Sequence, residues 1–474
     1  MPTFPEYCQY DAIGLAELIR SQQISRHEVL EAAISRLETI NPTLNVASFK
    51  DYDRARASVT NASGAFAGVP FLTKDTNDLQ GAPSTWGSAL FKDAVAPHTD
   101  TLNQRYQDAG LVIFGKTICP ELGLIGTTEP LAYGPVRNPF DHSRTAGGSS
   151  GGAAASVVSG IVPAAHGSDG GGSIRCPATA CGAFGLKPTR ARTPVGPDMG
   201  EGWQSLLANH VITRSVRDSA AILDISHGPE VGDPYQVTPP QRPFQQEVGA
   251  DPGRLRIGVM PRYAGGPDID QECMDNALEA ARLCESLGHD VEETCLPASV
   301  TVEKMFDLLG TICAVWVQSM LDRRATAIGR AVTAQDVEPM TWDMYCAAKD
   351  ISGLTYFNTI QELHAVCRTV GRFFESYDAL LTPGLGKIAV PLGFMDTRKG
   401  AESVANALAE FCPFTTIYNI TGQPAAALPF GWTQNGMPIG IQLVTRYADE
   451  ATLLRLCSQL EQAAPWQQHY ARIS

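Results

Sequence analysis

Apolar residues spaced three and four positions apart predict that the beginning of the chain is helical. The segments GLAELIRSQ (14–22) and SRHEVLEAAISRLETI (25–40) each place their apolar side chains along one face of a helix, and Ser25 is a candidate N-cap for the second. From residue 68 the pattern changes to short apolar runs separated by Gly and Pro. One of these, GLVIFGKT (110–117), predicts a buried strand that follows a helical segment, TLNQRYQDAG.

The second half of the chain contains a predicted strand–helix–strand unit. It consists of LRIGVM (255–260), a long amphipathic segment with Gly288 near its C-terminal end, and VEETCLP (291–297). The Pro- and Gln-rich stretch 228–252 predicts an irregular segment at the protein surface before this unit. Strands that alternate with helices predict a layered α/β protein with a largely parallel or mixed sheet, and one large domain is the simpler interpretation.

Composition restricts the class of protein. The 474 residues are 44% hydrophobic and 18% charged, which is typical of a folded globular chain with a large core. The net charge of −14, without a Lys/Arg cluster, argues against nucleic-acid or anionic-membrane partners. No signal peptide is visible at the start of the chain. The apolar run LLGTICAVWV (308–317) is too short to cross a membrane and predicts a buried helix.

The positions of the cysteines and histidines indicate neither disulfide bonds nor a metal site. The 12 cysteines are scattered without CxxC pairs, so they are expected to behave as small buried hydrophobes in a reducing cytoplasm. The nine histidines form no ligand pattern. We therefore expect neither a metal site nor a cofactor.

Two glycine-rich segments carry the candidate chemistry. TAGGSSGGAAAS (145–156) contains Ser149 and Ser150, and GSDGGGSIRCP (167–177) contains Ser173. A serine hydroxyl is a weak nucleophile until a neighbouring base removes its proton. The N–H groups of Gly170, Gly171, Gly172 and Ser173 can converge on an anion, so this loop is a candidate oxyanion hole.

Two sources of a base are visible in the sequence. His166 and Asp169 lie seven and four positions before Ser173, but a Ser–His–Asp triad is assembled by spatial roles, and residues so close on one loop would be poorly placed. Lys74 ends the apolar run GVPFLTK, and burial there would lower its pKa and favour the neutral amine. A loop lysine in a salt bridge with Asp75 or Asp78 is the open alternative.

These motifs resemble the amidase signature family of amide hydrolases. The resemblance lies in GTTEPLAYGPVRNPFDHSRTAGGSSGG, GSDGGGSIRCPATACGAFGLKPTRART, GVPFLTKD, NITGQPAAALPFG (419–431) and GMPIGIQLV (436–444). It implies one domain over 1–474, with an N-terminal helical segment (1–60), a catalytic core (68–215) and a divergent substrate-pocket region (230–410). The implied fold is a large mixed β-sheet covered by helices on both faces, an α/β/α arrangement.

The resemblance also implies a Ser–cis-Ser–Lys triad. Ser173 would be the nucleophile and Lys74 the ultimate base. Ser149, which lies 24 residues before Ser173 as in the family, would relay the proton after a cis peptide bond. Ser150 would then be a structural neighbour.

Two positions depart from the family pattern. Ala146 stands where Pro is usual, and Gly170 stands three residues before the nucleophile, where Thr, Ile or Leu is common. We expect Gly170 to leave more room beside the oxyanion hole. The segment HGSDGGGSIR resembles a subgroup that includes 6-aminohexanoate cyclic dimer hydrolases, aryl acylamidases and urethane-cleaving amidases.

The expected activity is hydrolysis of neutral carboxamides, such as anilides and alkyl or aryl amides, and of small carbamates and esters, through an acyl-enzyme on Ser173. Arg175 is expected to brace the signature loop, and a carboxylate anchor for the substrate is the alternative. Cys313 is expected to pack in the core, and a place in the lining of the substrate pocket is the alternative. The expected partner is a small-molecule substrate, and the expected state is a cytoplasmic monomer or homodimer.

Two further functions compete with this one. Within the family, the chain could be the amidase subunit of a tRNA-dependent amidotransferase. Outside it, GSDGGGS could cradle phosphate in a non-enzymatic nucleotide-binding module. A P-loop, however, requires a lysine after the glycines, and none is present here.

Overall fold

Strands from both halves of the chain join one sheet. The computed structural model describes residues 4–472. The strands are β1 (Ala47–Lys50), β2 (Pro70–Lys74), β3 (Val112–Thr117), β4 (Ala164–Asp169), β5 (Phe184–Lys187), β6 (Ala208–Thr213), β7 (Arg256–Val259), β8 (Asp290–Glu293), β9 (Ala379–Pro383), β10 (Ala425–Trp432) and β11 (Pro438–Thr445). Their order across the 11-stranded sheet is β1-β3-β2-β4-β6-β5-β10-β11-β9-β7-β8.

The α-helices account for most of the remaining regular structure. They are α1 (Ala12–Arg20), α2 (Arg26–Leu44), α3 (Tyr52–Val59), α4 (Thr101–Asp108), α5 (Gly151–Val158), α6 (Arg175–Cys181), α7 (Val216–Ser226), α8 (Gln271–Ser286), α9 (Val302–Ile328), α10 (Pro339–Ala348), α11 (Gly353–Ser376), α12 (Ala401–Phe411), α13 (Thr416–Thr421) and α14 (Glu450–Ala463).

The sheet is mixed and has helices on both faces, as expected from the sequence. The pairs β2–β3, β2–β4, β7–β8 and β7–β9 are parallel, whereas the other pairs are antiparallel. Adjacent residues of β9 point to opposite faces. Leu381 packs in a core cluster with residues of α8 and α14, and Leu380 packs in another with residues of α9, α11 and α13.

The structure contains the elements that local sequence patterns predict. Ser25 caps α2 through a capping box with Glu28. The run 110–117 contains β3, and the strand–helix–strand unit is β7, α8 and β8. The stretch 228–252 is mostly exposed irregular chain, although the Phe244 side chain is buried.

Helix α9 contains the apolar run noted above. Among the described residues it is the one helix that is long and apolar enough, by length and composition alone, to cross a membrane. In the structure its residues Leu309, Ile312 and Val317 are buried, and the helix packs against α10, α11 and α13. This packing is the arrangement of a core helix.

The order of strands brings distant segments together at one edge of the sheet. β2 and β4 are parallel neighbours, with Leu72 opposite Ala165. Lys74 at the end of β2 and Ser168 near the end of β4 therefore lie side by side. Both glycine-rich segments continue from this region into short helices, α5 after Ser150 and α6 after Ile174.

Candidate active site

Lys74 is buried and directed at two serines. Its side chain has no exposed surface, and its Nζ donates to Ser149 Oγ at 2.6 Å and to Ser168 Oγ at 2.8 Å. Burial disfavours the ammonium form and lowers the pKa of Lys74 from 10.5 to about 8. A substantial fraction of the amine is therefore neutral at mildly alkaline pH.

The alternative of a loop lysine in a salt bridge with Asp75 or Asp78 is wrong, since Lys74 ends β2. Asp75 instead pairs with the buried Lys116, at 3.5 Å, and accepts a hydrogen bond from Thr85 Oγ1. Asp78 accepts a hydrogen bond from Ser84 Oγ. The two serine hydroxyls are thus the polar partners of Lys74 Nζ.

Ser149 lies in a turn that requires glycine. The peptide bond between Gly148 and Ser149 is cis, in agreement with the expectation from the family resemblance. A Cβ on Gly148 would lie 2.4 Å from the Thr127 carbonyl oxygen, so no larger residue fits there. The next residue, Ser150, donates its N–H to the Ser173 carbonyl at 3.1 Å, which holds the two glycine-rich segments together.

The Asp169 carboxylate organises the loop that carries Ser173. It accepts the N–H groups of Gly172 at 2.7 Å and Ile174 at 3.1 Å. Burial alone would raise the pKa of Asp169, but the Arg175 guanidinium outweighs burial and holds the pKa well below its usual range. The carboxylate is therefore ionised and fixes the turn around Ser173.

This arrangement corrects one member of the expected oxyanion hole. Because the Gly172 N–H donates to Asp169, it is not available to a substrate oxygen. The Gly171 carbonyl accepts from Thr415 Oγ1 at 2.6 Å and from Thr416 Oγ1 at 3.1 Å, which fixes the orientation of the following peptide. The candidates that remain are the N–H groups of Gly170, Gly171 and Ser173.

The structure contradicts the alternative of Arg175 as a substrate anchor. Its side chain is completely buried and pairs with Asp169 at 2.8 Å. Its other donors reach the Thr415 carbonyl, Gln442 Oε1 and Asn419 Oδ1 at 2.9, 2.7 and 2.6 Å. With these partners inside the protein, Arg175 braces the loop, as expected from the sequence.

His166 does not belong to a Ser–His–Asp arrangement. It lies within β4, its side chain is buried, and its Nδ1 accepts the backbone N–H of Lys74 at 3.4 Å. Burial lowers the pKa of His166 to about 3, so its ring is neutral over the physiological range. The carboxylate that would complete such a triad, Asp169, faces Arg175 instead.

Ser149 and Ser173 open onto a cleft with two lobes. The aromatic lobe, with about 650 Å³ of empty space that includes open solvent, is lined by Trp86, Trp203 and Trp316, together with both serines. The aliphatic lobe has about 360 Å³ of empty space that includes open solvent, and its lining comprises leucine, isoleucine and cysteine side chains with Ser173 and Trp203 at its boundary. Ser173 therefore faces both lobes.

The expected free space beside Gly170 is occupied. A Cβ on Gly170 would lie 2.6 Å from Cε3 and from Cζ3 of Trp203, because this ring packs directly on the glycine. The prediction of a wider pocket at Gly170 is thus wrong. The missing side chain instead admits a tryptophan next to the loop of Ser173.

Cys313 and Ser168 are two further residues of the site. Cys313 on α9 is buried and lines the aliphatic lobe, where burial raises the pKa of its thiol and keeps it protonated. Ser168 was not singled out from the sequence, although it belongs to the same GSDGGGS segment as Ser173. Its contact with Lys74 depends on the pairing of β2 with β4, which no local pattern reveals.

One group of potential metal ligands is present among the described residues. Ligand atoms of Asp78, His98 and Asp100 lie within 4.8 Å of one another. Asp100 Oδ2 already accepts the Asp78 N–H at 2.8 Å, and His98 Nε2 lies 3.2 Å from Asp198. These residues thus have polar partners within the protein.

The chain is similar to known proteins along nearly its whole length. The family model described as Amidase matches residues 28–454. A 6-aminohexanoate-cyclic-dimer hydrolase of Paenarthrobacter ureafaciens is 38% identical over 96% of this chain and 95% of its own. A solved 6-aminohexanoate cyclic dimer hydrolase with substrate has a TM-score of 0.92, with 37% identity over 97% of this chain and 98% of its own.

A second kind of structure is almost as similar. A bacterial aryl acylamidase of the amidase signature family superimposes with a TM-score of 0.90 and 29% identity over 98% of both chains. The matches cover the helical N-terminal part, both glycine-rich segments and the C-terminal strands. The chain belongs to the amidase signature family, and it is a hydrolase of carbon–nitrogen bonds in amides.

Proposed function

We propose that the protein is a serine hydrolase that cleaves neutral amides through an acyl-enzyme on Ser173. The observation that carries this proposal is the buried Lys74, whose Nζ lies 2.6 Å from Ser149 Oγ. A lysine with a pKa of about 8 is a base at neutral to alkaline pH, which an exposed lysine is not. Ser149 lines the cleft together with Ser173 and is the proposed proton relay.

The first half of the reaction forms the acyl-enzyme. Neutral Lys74 accepts the proton of Ser149 Oγ, and Ser149 accepts the proton of Ser173 Oγ as this oxygen attacks the substrate carbonyl. The carbonyl oxygen becomes an oxyanion, which the N–H groups of Gly170, Gly171 and Ser173 would stabilise. The proton returns through Ser149 to the amine nitrogen, the C–N bond breaks, and the amine leaves.

The second half releases the acid. A water molecule attacks the acyl-Ser173 carbonyl while its proton passes to Ser149 and Lys74, and the Ser173 oxygen leaves with a returned proton. Asp169 and Arg175 would act only as positioning residues, since they hold the loop and do not face the cleft. The same oxyanion forms from amides, carbamates and esters, so one site can serve all three.

Neutral substrates fit the lining of the cleft. No Lys or Arg lines either lobe in the described part of the chain, so a carboxylate-bearing substrate would lose its hydration without a partner. Asp100 is the acidic residue of the aromatic lobe, and burial raises its pKa to about 7. We propose anilides and alkyl or aryl amides as the main substrates, with small carbamates and esters also accepted.

The alternatives have less support. The role of an amidotransferase subunit would require a partner chain and glutaminase activity, whereas the relative that shares 38% identity is named a hydrolase. Phosphate binding at GSDGGGS conflicts with the ionised Asp169 within the same turn. Residence in the cytoplasm and a monomeric or homodimeric state stay predictions.

The proposal is tested with Ser173→Ala and a fluorophosphonate that labels activated serines. Ser173→Ala should abolish both turnover and labelling without lowering the melting temperature, whereas the matched variant Ser150→Ala should keep its labelling. A panel of a nitroanilide, an aryl carbamate and a dicarboxylic monoamide then ranks substrates by kcat/KM. Near-normal activity of Ser173→Ala, or preference for the charged monoamide, would contradict the proposal.

A further inference from the structure

Three tryptophans from separate parts of the chain meet in the cleft beside Ser173. Trp86 follows β2, Trp203 lies in the loop before β6, and Trp316 is on α9. Ring centroids of Trp203 and Trp316 are 5.5 Å apart, and those of Trp86 and Trp316 are 5.7 Å apart. All three side chains are half-buried and line the aromatic lobe, so their remaining exposed surface is available to a substrate.

Trp203 also separates the two lobes. It lines both of them, as do Ser173 and Gly123, whereas Trp86 and Trp316 line the aromatic lobe alone. The aliphatic lobe on the other side is lined by Leu309, Leu408 and Cys313 among others. A scissile bond at Ser173 would thus have an aromatic surface on one side of Trp203 and an aliphatic one on the other.

The backbone around Trp203 holds the ring in this place. Trp203, Gln204 and Ser205 have φ angles of +53°, +55° and +61°, a left-handed turn that residues other than glycine rarely adopt. Arg190 Nε donates to the Ser205 carbonyl at 3.0 Å and so fixes the turn. An unusual backbone that the surroundings enforce next to a reactive serine indicates a functional role for the side chain it presents.

Gly170 completes the arrangement from the other side. Its missing Cβ creates the contact surface for the Trp203 ring, since any side chain would lie 2.6 Å from two ring carbons. The loop that carries Ser173 and the ring that borders the aromatic lobe therefore fit together only with glycine at position 170.

We propose that Trp203, packed on Gly170 and against Trp316, is a specificity-determining residue that places an aryl group of the substrate in the aromatic lobe. This inference rests on the proposed function and narrows its substrate class. Flat aromatic groups pack favourably on tryptophan rings beyond the burial of area alone. Substrates with an aromatic group on one side of the scissile bond and a short aliphatic group on the other fit the two lobes best.

The test compares an aryl with an alkyl amide of the same acyl group, 4′-nitroacetanilide and N-hexylacetamide. Trp203→Ala should lower the ratio of their kcat/KM values by about tenfold, the loss of one aromatic contact. Trp203→Phe, which keeps a ring, should give a smaller loss. Trp432→Phe is the matched control, because Trp432 stacks on His469 away from the cleft, and should leave the ratio unchanged.

A double-mutant cycle tests the contact with Gly170. Gly170→Ala should lower the anilide kcat/KM strongly in the wild-type background and less in Trp203→Ala, because the new methyl group then meets no ring. Equal losses in both backgrounds, or an equal fall of both amides in folded Trp203→Ala, would overturn the inference. Failure of the wild-type enzyme to hydrolyse either amide would instead overturn the proposed function.

Discussion

Titration of Lys74 gives the sharpest prediction for the reaction. Burial lowers the pKa of Lys74 from 10.5 to about 8. This difference corresponds to a preference of about 3 kcal/mol for the neutral amine, on the scale of 1.36 kcal/mol per pKa unit. With a pKa of 8, the neutral fraction rises from about 9% at pH 7 to about 91% at pH 9. With the unperturbed pKa, the neutral fraction of Lys74 would rise about a hundredfold from pH 7 to pH 9, without levelling off.

The measurement is kcat/KM for a neutral anilide between pH 6 and 10, because this parameter reports groups that ionise in the free enzyme. We expect about a tenfold rise from pH 7 to 9 and a plateau above it. Lys74→Ala should lose several orders of magnitude in kcat and the inflection with it. Asp100, which also faces the cleft, is controlled for by Asp100→Asn, which should keep the inflection near pH 8. A continued hundredfold rise, or an inflection that survives in Lys74→Ala, would refute the role of Lys74.

Three further predictions concern the surroundings of the reaction. Ser168→Ala removes one of the acceptors of Lys74 Nζ. In a pH profile, kcat should therefore fall about tenfold and the inflection should move to lower pH. An unchanged profile would show that Ser168 does not affect the titration of Lys74. Arg175→Ala leaves the buried Asp169 without its ion-pair partner and should cost about 3–5 kcal/mol of stability in urea unfolding, whereas full stability with a raised KM would return Arg175 to substrate binding. Dialysis against a chelator should leave kcat/KM unchanged, and activity lost there and restored by zinc or manganese would contradict a metal-free mechanism.

The predictions that succeeded rest on local signals or on extended motifs. The capping box at Ser25 and the strand within 110–117 follow from residues that are neighbours in the chain. The family resemblance could be read from the glycine-rich segments, because such backbone requirements leave a pattern of residue types. Lys74 was singled out because a charged residue at the end of an apolar run is unusual, and its burial agrees with that argument.

The prediction that failed at Gly170 and the alternative that stayed open at Arg175 both concern contacts between distant segments. Gly170 indicated free space, but whether the space stays open depends on the loop 33 residues further on, which places Trp203 against it. At position 175 the sequence shows an arginine in either case, whether its side chain faces the substrate or the protein interior. Only the approach of α13 and β11 gives it Asn419 and Gln442 as partners.

The amino-acid sequence by itself determined several elements and the family, and it predicted the reactive side chains, because these depend on residue type, periodicity and spacing. The tertiary structure alone decided the second acceptor of Lys74, the use of the Gly172 N–H by Asp169, and the ring that borders the cleft at Ser173. Each of these is a contact of a few ångströms between side chains or loops whose relative positions are set by strand order and helix packing. Such contacts depend on how the whole chain packs, and no single segment encodes them.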